Sequence, residues 1–233
     1  MCYHNSINTD TQNLERKYKK RLKDQAVFKP IFHASAFEFL AWPIITKQSE
    51  SIEMMNWGLI PSWISGTAAA TGIKSKTLNA RIETSQEKAS FRNARPCIVP
   101  STGFFEWQSI GKEKIPYFIY LPENQIFSMA GIFDTWVNDS EIPVSTFSIL
   151  TTEANPLMEK IHNIKKRMPV ILDPEMENLW LTSKLELENL KKPFSDKKMA
   201  AHVIGNTINT KLHNTKDVSL PQIKEISEQL NLF

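Results

Sequence analysis

Residues 97–152 read CIVPSTGFFEWQSIGKEKIPYFIYLPENQIFSMAGIFDTWVNDSEIPVSTFSILTT and carry the densest strand pattern in the chain. Turn signals at Gly111-Lys112, Pro122–Asn124 and Asn138-Asp139 separate short apolar and aromatic runs. The runs are Cys97–Val99, Phe104–Trp107, Tyr117–Leu121, Phe127–Trp136 and Val144–Leu150. Closely spaced strands with turn residues between them are typical of antiparallel sheets. This stretch therefore predicts an antiparallel sheet or a barrel-like core.

The flanking segments add short helices and further strands. Predicted strands outside residues 97–152 are Cys2–Ile7, Trp42–Thr46, Ile52–Trp57, Met168–Leu172 and His202–Ile204. Predicted helices are Asp10–Lys23, Ser85–Asn93, Asn155–Ile161, Pro174–Thr182 and Leu185–Lys192, and the small polar stretch Gly66–Lys76 is predicted as an exposed loop. The pattern predicts one α+β domain over residues 1–233, with a mainly antiparallel, barrel-like β core flanked by helices.

The composition is that of an ordinary soluble globular protein. Of 233 residues, 41% are hydrophobic and 23% are charged, and apolar runs such as Phe37–Trp42 are too short to span a bilayer. Residues 1–10 lack the apolar core of a signal peptide. Cys2 and Cys97 are too few for a disulfide framework or a cysteine-based zinc site. We therefore expect a cytoplasmic protein without membrane contact.

Basic residues concentrate in two places, although the formal net charge is only +3. The first cluster, Arg16–Lys23, lies on a predicted helix, where a solvated face is favoured over nucleic-acid contact. The second cluster, Lys165–Arg167, follows His162 closely. That position indicates a site facing an anion.

Cys2 follows the initiator methionine and is a candidate nucleophile. Because Cys is small, removal of Met1 is expected, and it leaves an α-amine and a thiol on adjacent carbons. Their unperturbed pKa values are about 7.7–8.0 and about 8.5, so both groups lie near their reactive forms at neutral pH. The amine can form an imine with an aldehyde, and the thiol can then close a thiazolidine ring.

Several polar residues lie inside or beside apolar, strand-like runs. Glu106 stands between aromatic residues, and alternation along the strand leaves open whether it faces solvent or the core. If it is buried, its pKa would rise, which suits general acid/base catalysis. Asn79 and Arg81 share one face of an extended segment, although Arg81 with Glu83 alone indicates a simple ion pair. With His162 added, two chemistries stay open. One is a thiol hydrolase using Cys, His and Asn or Glu, and the other is an N-terminal Cys that captures an aldehyde with the help of an acid/base pair.

Short sequence blocks spread over most of the chain form an ordered set. The blocks are Met1-Cys2, 57–63 (WGLIPSW), 79–84 (NARIET), 97–100 (CIVP), 103–107 (GFFEW), 130–132 (AGI), 161–162 (IH) and 167–172 (RMPVIL). Each block is weak alone, but in this order the chain resembles the SRAP family, the SOS response-associated peptidases. The resemblance implies the SRAP fold and the shielding of abasic sites in single-stranded DNA by a covalent crosslink.

The resemblance assigns a catalytic set of Cys2, Asn79, Glu106 and His162. Cys2 would be the nucleophile that forms a thiazolidine with the ring-opened deoxyribose, and Asn79 would orient the Cys2 amine or the sugar. Glu106 would move protons during imine formation and ring closure. His162 would help to open the sugar ring and would support β-elimination or reversal of the crosslink. Lyase activity at the abasic site and autoprotease-like removal of the residue before Cys2 are implied as well.

The resemblance also implies a set of DNA-binding residues, namely Arg81, Trp63, Thr151, Lys165 and Arg167. Arg81 would contact a phosphate beside the lesion, and Lys165 and Arg167 would extend a basic groove. Trp63 would stack on a base or wedge beside it. The expected partner is single-stranded DNA that contains abasic sites. No metal or organic cofactor is implied, and the protein is expected to be a monomer.

Three positions depart from the family pattern. Many members have Gly-Arg after the catalytic Cys, whereas this chain has Tyr3-His4, so that His4 would replace a DNA-contacting Arg only in part. Many members also have Arg within two residues of the catalytic His, whereas Asn163–Lys166 precedes Arg167 in this chain. The family's wedge residue has no clear match here, and Phe37 is the candidate.

Two rival functions stay open. A thiol peptidase or amidohydrolase using Cys2 with His162 would turn over peptide or amide substrates without DNA. A non-covalent single-stranded DNA-binding module would bind in a salt-sensitive manner and would form no covalent product.

Overall fold

A computed structural model gives the fold of residues 2–23, 28–123, 125–205, 208 and 214–222. The helices are α1 (Thr11–Tyr18), α2 (Thr67–Lys74), α3 (Pro156–Ile161), α4 (Pro174–Leu181) and α5 (Leu187–Lys191). The strands are β1 (His4–Ile7), β2 (Arg21–Leu22), β3 (Ile31–Ser35), β4 (Ala41–Ile44), β5 (Ser51–Trp57), β6 (Asn79–Arg81), β7 (Arg95–Ser101), β8 (Gly103–Ile110), β9 (Glu113–Tyr120), β10 (Phe127–Val137), β11 (Pro143–Glu153), β12 (Arg167–Pro169), β13 (Ile171–Leu172) and β14 (Ala200–Val203). Short 3₁₀ helices cover Ala36–Glu38, Asp196–Lys198 and Lys216–Ser219.

The strands form two sheets. One has the order β14-β9-β8-β1-β3, and the other runs β13-β10-β11-β5-β2, with β12 and β6 on β11, β4 on β5 and β7 on β10. Most pairs are antiparallel, while β5 and β6 run parallel to β11 and β2 runs parallel to β5. The predicted α+β class with a mainly antiparallel β core is confirmed. In the described part of the chain neither sheet is a closed barrel, although the isolated bridge between Ile45 and Ile98 links the end of β4 to β7.

Two long hairpins organise these sheets. β8 and β9 pair around Gly111, whose φ of 58° suits glycine, and β10 pairs with β11. Gly103 begins β8 where the ring of Phe118 crosses the backbone, and a Cβ atom at this position would lie 2.1 Å from that ring. Only glycine therefore fits at the start of the strand that carries Glu106.

The main core is rich in aromatic side chains. Trp57 is buried and stacks on Phe147, with ring centroids 5.9 Å apart. Its indole Nε1 donates to the carbonyl of Leu78 at 2.8 Å, so the polar atom of this buried side chain is satisfied. The same bond fixes the segment that leads into β6, the strand of Asn79.

The prediction of an exposed loop at Gly66–Lys76 is wrong, because Thr67–Lys74 forms α2. Ala68–Ala70 favour a helix, since Ala has the highest helix propensity. Ala70 is buried in a small cluster with Ile60 and Trp136. Tertiary burial of one turn therefore stabilises a helix in a segment whose composition alone indicates a loop.

The prediction of a helix at Ser85–Asn93 is also wrong, because this segment forms turns. The bond from the Phe91 amide to the Lys88 carbonyl, 2.9 Å long, closes a single turn. Ser and Asn side chains compete with helical backbone bonds, and here Ser85 Oγ donates to the carbonyl of Ile82 at 3.3 Å. The polar residues therefore favour turns over a continuous helix.

The first helix is shorter than predicted. Lys19 adopts a left-handed φ of 53° directly after α1, and β2 then pairs with β5. Leu22 is buried there, so the chain gains a strand contact where the periodic pattern predicted a last helical turn. The other predicted helices and strands are present with shifted bounds. Within the described ranges no helix has the combined length and hydropathy for passage through a membrane.

Candidate functional site

Strand pairing brings Cys2 to the strand of Glu106. β1 pairs antiparallel with β8, with His4 opposite Phe105 and Asn5 opposite Phe104. Continuing this register toward the N-terminus places Cys2 alongside β8. Cys2 is 1% exposed. Burial, followed by the nearby carboxylate of Glu106, raises the pKa of its thiol well above the ordinary value, so the thiol is protonated at neutral pH.

Glu106 is a buried carboxyl group on β8. Burial raises its pKa to about 8, so it is mostly protonated at neutral pH. Its Oε1 atom is buried without a hydrogen-bond partner among the described residues. A buried oxygen without a partner is costly, so this atom is a candidate to bind a polar group of a ligand.

His162 lies at the C-terminal end of α3, which begins with the side-chain oxygen of Asn155 accepting from the Met158 amide at 2.9 Å. Its Nδ1 lies 2.8 Å from the carbonyl oxygen of Arg167. Since a carbonyl only accepts, Nδ1 carries the proton and Nε2 is the acceptor. Burial lowers the pKa of His162 to about 4, so the ring is neutral at neutral pH.

The two groups face each other, since His162 Nε2 lies 3.8 Å from Glu106 Oε2. This distance is too long for a direct hydrogen bond. The raised pKa of Glu106 and the lowered pKa of His162 favour a neutral pair over an ion pair at neutral pH. The arrangement therefore sets an acid, Glu106, beside a base, His162 Nε2.

Asn79 joins this cluster from the other sheet. It lies on β6, which runs parallel to β11 with Asn79 opposite Ile149. Its Nδ2 donates to the backbone carbonyl of Cys2 at 2.9 Å, while its Oδ1 is buried without a partner among the described residues. The amide therefore restrains the backbone of Cys2, and its Oδ1 atom can still accept a hydrogen bond. The structure thus brings together Cys2, Asn79, Glu106 and His162.

Arg167 and Thr151 are placed in the framework around this cluster. Arg167 is 7% exposed and grips Glu83 with Nη1–Oε1 and Nη2–Oε2 distances of 2.6 and 2.9 Å. Its Nη2 also donates to the carbonyl of Thr151 at 2.6 Å, and the Thr151 side chain is fully buried. Partial burial acts to raise the pKa of Glu83, but the hydrogen bonds and charge of Arg167, a backbone hydrogen bond and the charge of Arg81 together outweigh it and lower the pKa.

Arg81 is exposed and makes no hydrogen bond or ion pair with any described side chain, although its charge contributes to the lowered pKa of Glu83. The simple Arg81–Glu83 pair considered from the sequence is therefore not formed. Lys165 is also exposed, three residues after His162, the C-cap of α3. Its charge is close enough to His162 to contribute to the lowered pKa of that ring.

Trp63 is 55% exposed, and its Nε1 donates to the carbonyl of Ala89 at 3.3 Å. Close by in the chain, a groove of about 500 Å³ lies between α2 and the turns of residues 84–91. Apolar side chains such as Ile64 and Phe91 line it, together with exposed Lys76 and Lys88. The exposed ring of Trp63 is open to a ligand, and its hydrogen bond to Ala89 restrains its orientation.

Part of the basic segment Arg16–Lys23 is neutralised by the protein itself. Lys17 pairs with Glu177 at 3.1 Å, and Arg21 pairs with Glu15 at 3.0 Å. Lys20 donates to the backbone carbonyl of Thr46 at 3.1 Å. These contacts support the interpretation of this cluster as a structural, solvated face.

His4, Phe37 and His33 lie on the elements next to Cys2, and of these only His33 is not singled out from the sequence. His4 Nδ1 and His33 Nε2 lie 2.8 Å apart, and the two rings stack at a centroid distance of 5.0 Å. Phe37 is 52% exposed and packs on the ring of Tyr3 at 5.1 Å. Only the pairing of β1 with β3 brings these residues together. No group of three or more His, Cys, Asp or Glu side chains in the described ranges is arranged to hold a metal ion.

Comparison with known proteins points to one family. The family described as SOS response associated peptidase (SRAP) matches residues 1–211. The abasic site processing protein YoqW of Bacillus subtilis is 37% identical over 172 residues, which are 70% of this chain and 74% of that protein. The abasic site processing protein HMCES of Gallus gallus is 32% identical over 202 residues, 74% of this chain and 58% of that protein. A crystal structure from Bacteroides thetaiotaomicron superposes with a TM-score of 0.90 at 42% identity, covering 94% of this chain and 99% of that one.

Proposed function

This chain belongs to the SOS response associated peptidase family, and on that basis we propose that it binds abasic sites in single-stranded DNA and joins them covalently to Cys2. Relatives of this chain carry the name abasic site processing protein. In the proposed reaction Met1 is removed first, in an autoprotease-like step, which frees the Cys2 α-amine. The observation that carries the proposal is the meeting of Cys2, Asn79, Glu106 and His162 in one buried cluster.

The proposed crosslink forms two bonds to the aldehyde carbon of the ring-opened sugar. The Cys2 α-amine attacks this carbon, and water leaves as the imine forms. The thiol sulfur then adds to the imine carbon, and the thiol proton passes to the nitrogen, which closes the thiazolidine. Holding amine, thiol and aldehyde in one site gives the rate advantage of an intramolecular reaction.

Glu106 is suited to the dehydration step. Its raised pKa keeps it protonated at neutral pH, so it can donate the proton that turns the leaving hydroxyl into water. His162 presents an unprotonated Nε2 on the other side of the pair. It can accept the proton of the sugar hydroxyl as the ring opens, and the same nitrogen would serve a lyase reaction by β-elimination.

Asn79 fixes the nucleophile. Its bond to the Cys2 carbonyl restrains the backbone beside the reacting amine and thiol. Its buried Oδ1, which has no partner among the described residues, can accept from the amine or from a sugar hydroxyl. We propose this acceptor as the group that aligns the amine with the aldehyde.

The DNA strand would run over the exposed cations and the exposed indole. Arg81 and Lys165 flank the buried cluster in sequence, and Trp63 offers a face on which a base can stack. Arg167 and Thr151 are buried, so Arg167 would have to release Glu83 before it reached a phosphate. Their DNA contact stays a prediction.

The proposal is tested with abasic single-stranded oligonucleotide and intact mass spectrometry. Processed protein should lose Met1 and gain the mass of one strand less one water. Cys2→Ala should form no stable adduct, while Cys97→Ala, which removes the other buried free thiol, should react like the parent. A stable adduct in Cys2→Ala would overturn the mechanism.

A peptidase that uses a Cys2–His162 ion pair is less well supported. Such enzymes activate a thiolate by lowering its pKa beside a protonated His. Here burial raises the pKa of Cys2 and lowers that of His162, so both groups are neutral. In the proposed ring closure the thiol must also lose its proton, and it can pass that proton to the imine nitrogen as the sulfur adds, so no thiolate–imidazolium pair is needed.

A further inference from the structure

Asn163, directly after His162, pairs with the backbone of β8 through both ends of its side-chain amide. Its Nδ2 donates to the Ser109 carbonyl at 2.8 Å, and its Oδ1 accepts from the Ser109 amide at 3.0 Å. The Asn163 side chain thus makes the pair of hydrogen bonds that a residue of a neighbouring antiparallel strand would make. Ser109 lies three residues beyond Glu106 on the same strand.

Gln108 adds a second tie between the same two elements. Its Nε2 donates to the carbonyl of Lys160, near the end of α3, at 3.0 Å. Its Oε1 accepts from the hydroxyl of Tyr117 at 3.1 Å, which fixes the amide orientation. Asn163 and Gln108 therefore hold the end of α3 against β8 from both sides of His162.

The ring of His162 is fixed to its own loop by other bonds. The amide of Lys166 donates to the His162 carbonyl at 2.8 Å, and Nδ1 donates to the Arg167 carbonyl at 2.8 Å. The loop thus moves with the ring as one piece. The position of that piece relative to Glu106 depends on how the loop is attached to β8.

We propose that Asn163, supported by Gln108, is a positioning residue that sets the separation of the Glu106 and His162 side chains. The inference rests on the proposed function for its consequence, since those two side chains move the protons. Neither Asn163 nor Gln108 touches the reacting atoms. Their effect is to keep the acid and the base 3.8 Å apart and shielded from water.

Loosening this attachment should act on both proton-transfer groups. Water that enters between β8 and the loop would weaken the desolvation that raises the pKa of Glu106 and lowers that of His162. The neutral pair would then exist over a narrower pH range. A displacement of about 1 Å in a reacting geometry also costs on the order of 100-fold in rate.

The test compares Asn163→Ala with the parent protein and with Asn56→Ala. Asn56 is a matched control, since its Nδ2 also anchors a backbone carbonyl, that of Phe39 at 2.9 Å, on a different strand. The titrations of Glu106 and His162 are followed by NMR, and the pH–rate profile of crosslinking is followed with saturating abasic DNA.

In Asn163→Ala we expect the pKa of Glu106 to fall and that of His162 to rise. The crosslinking rate should drop by about 10- to 100-fold, with its alkaline limb at lower pH. Gln108→Ala should shift both titrations in the same directions by less, and Asn56→Ala should shift neither. Unchanged titrations in Asn163→Ala would overturn the proposal. Failure of the proposed function is distinguishable, because the parent would then give no DNA adduct while the NMR comparison would still be decisive.

Discussion

His162 Nε2 lies 3.8 Å from Glu106 Oε2, yet both side chains are neutral at neutral pH. Burial opposes the charged form of each group, and no hydrogen bond short enough to compensate joins them. The pair therefore differs from a structural salt bridge, which would lower the pKa of the Glu and raise the pKa of the His. Because both groups are uncharged in the resting state, the acid can donate a proton and the base can accept one, and no buried charge has to be stabilised before the reaction.

Glu106→Gln should change how stability depends on pH. The carboxyl has its ordinary pKa of 4.5 in the unfolded chain and a pKa of about 8 in the folded protein. Between these values the folded state keeps a proton that the unfolded state releases, so parent stability falls as pH rises. Gln stays neutral, and the variant should be more stable than the parent above about pH 8, by on the order of a few kcal/mol.

Urea unfolding at a series of pH values measures this difference. The gap between the two proteins should open steadily from acidic to alkaline pH. Parallel stability curves would show that Glu106 is ionised in the folded protein. In the crosslinking assay the same variant should be slow at every pH, because Gln has no acidic proton to donate.

Cys2→Ser should permit the first bond of the crosslink, between the sugar carbon and the amine nitrogen, and impair the second, which the thiol sulfur forms. The variant keeps the α-amine after removal of Met1, so it can still form an imine with the abasic sugar. The serine hydroxyl closes the ring less well than the thiol, so we expect an adduct that survives denaturation only after reduction by borohydride. A crosslink equally stable without reduction would contradict the role of the sulfur. Cys97→Ser is the matched control, since Cys97 is buried elsewhere.

The central strands could be predicted from the sequence, because apolar and aromatic runs between turn residues depend on local patterning. Phe104–Trp107 and Val144–Leu150 lie within β8 and β11. The helix at Thr67–Lys74 could not be predicted in this way, because its stability depends on burial of Ala70 against Trp136, which comes from a distant strand. The error at Ser85–Asn93 is the reverse, since Gln86–Ala89 favour a helix but the segment forms turns that bury Phe91 in the main core.

The candidate site could be named from the sequence only as a set of residue types. Cys2, Asn79, Glu106 and His162 come from four segments, and their meeting depends on strand pairings that no local pattern specifies. The sequence also led us to assign Arg167 the same role as Lys165, that of an exposed residue in a basic DNA-binding groove. Its burial on Glu83 follows from strand register rather than from composition.

Arg81→Ala should weaken binding to single-stranded DNA with little dependence on base sequence. Arg81 is exposed and forms no direct ion pair with a described residue, although its charge contributes to the lowered pKa of Glu83, so its guanidinium is available to a phosphate. Loss of one phosphate contact should reduce the slope of log affinity against log salt by about 0.7. Fluorescence anisotropy over a salt series measures this change. Arg16→Ala, which removes an exposed Arg on the structural face of α1, should leave the slope unchanged.

Arg167→Ala should destabilise the fold rather than simply weaken DNA binding. Its removal leaves Glu83 and the Thr151 carbonyl without their donor. Breaking a buried pair from one side typically costs about 3–5 kcal/mol, and partial exposure of Glu83 places the expected loss near the lower end of that range. Adding Glu83→Gln removes the stranded charge, so the double variant should recover part of the loss in urea unfolding. If Arg167→Ala kept full stability and lost only DNA affinity, the arginine would act as a phosphate contact and Glu83 would be a partner that it readily leaves.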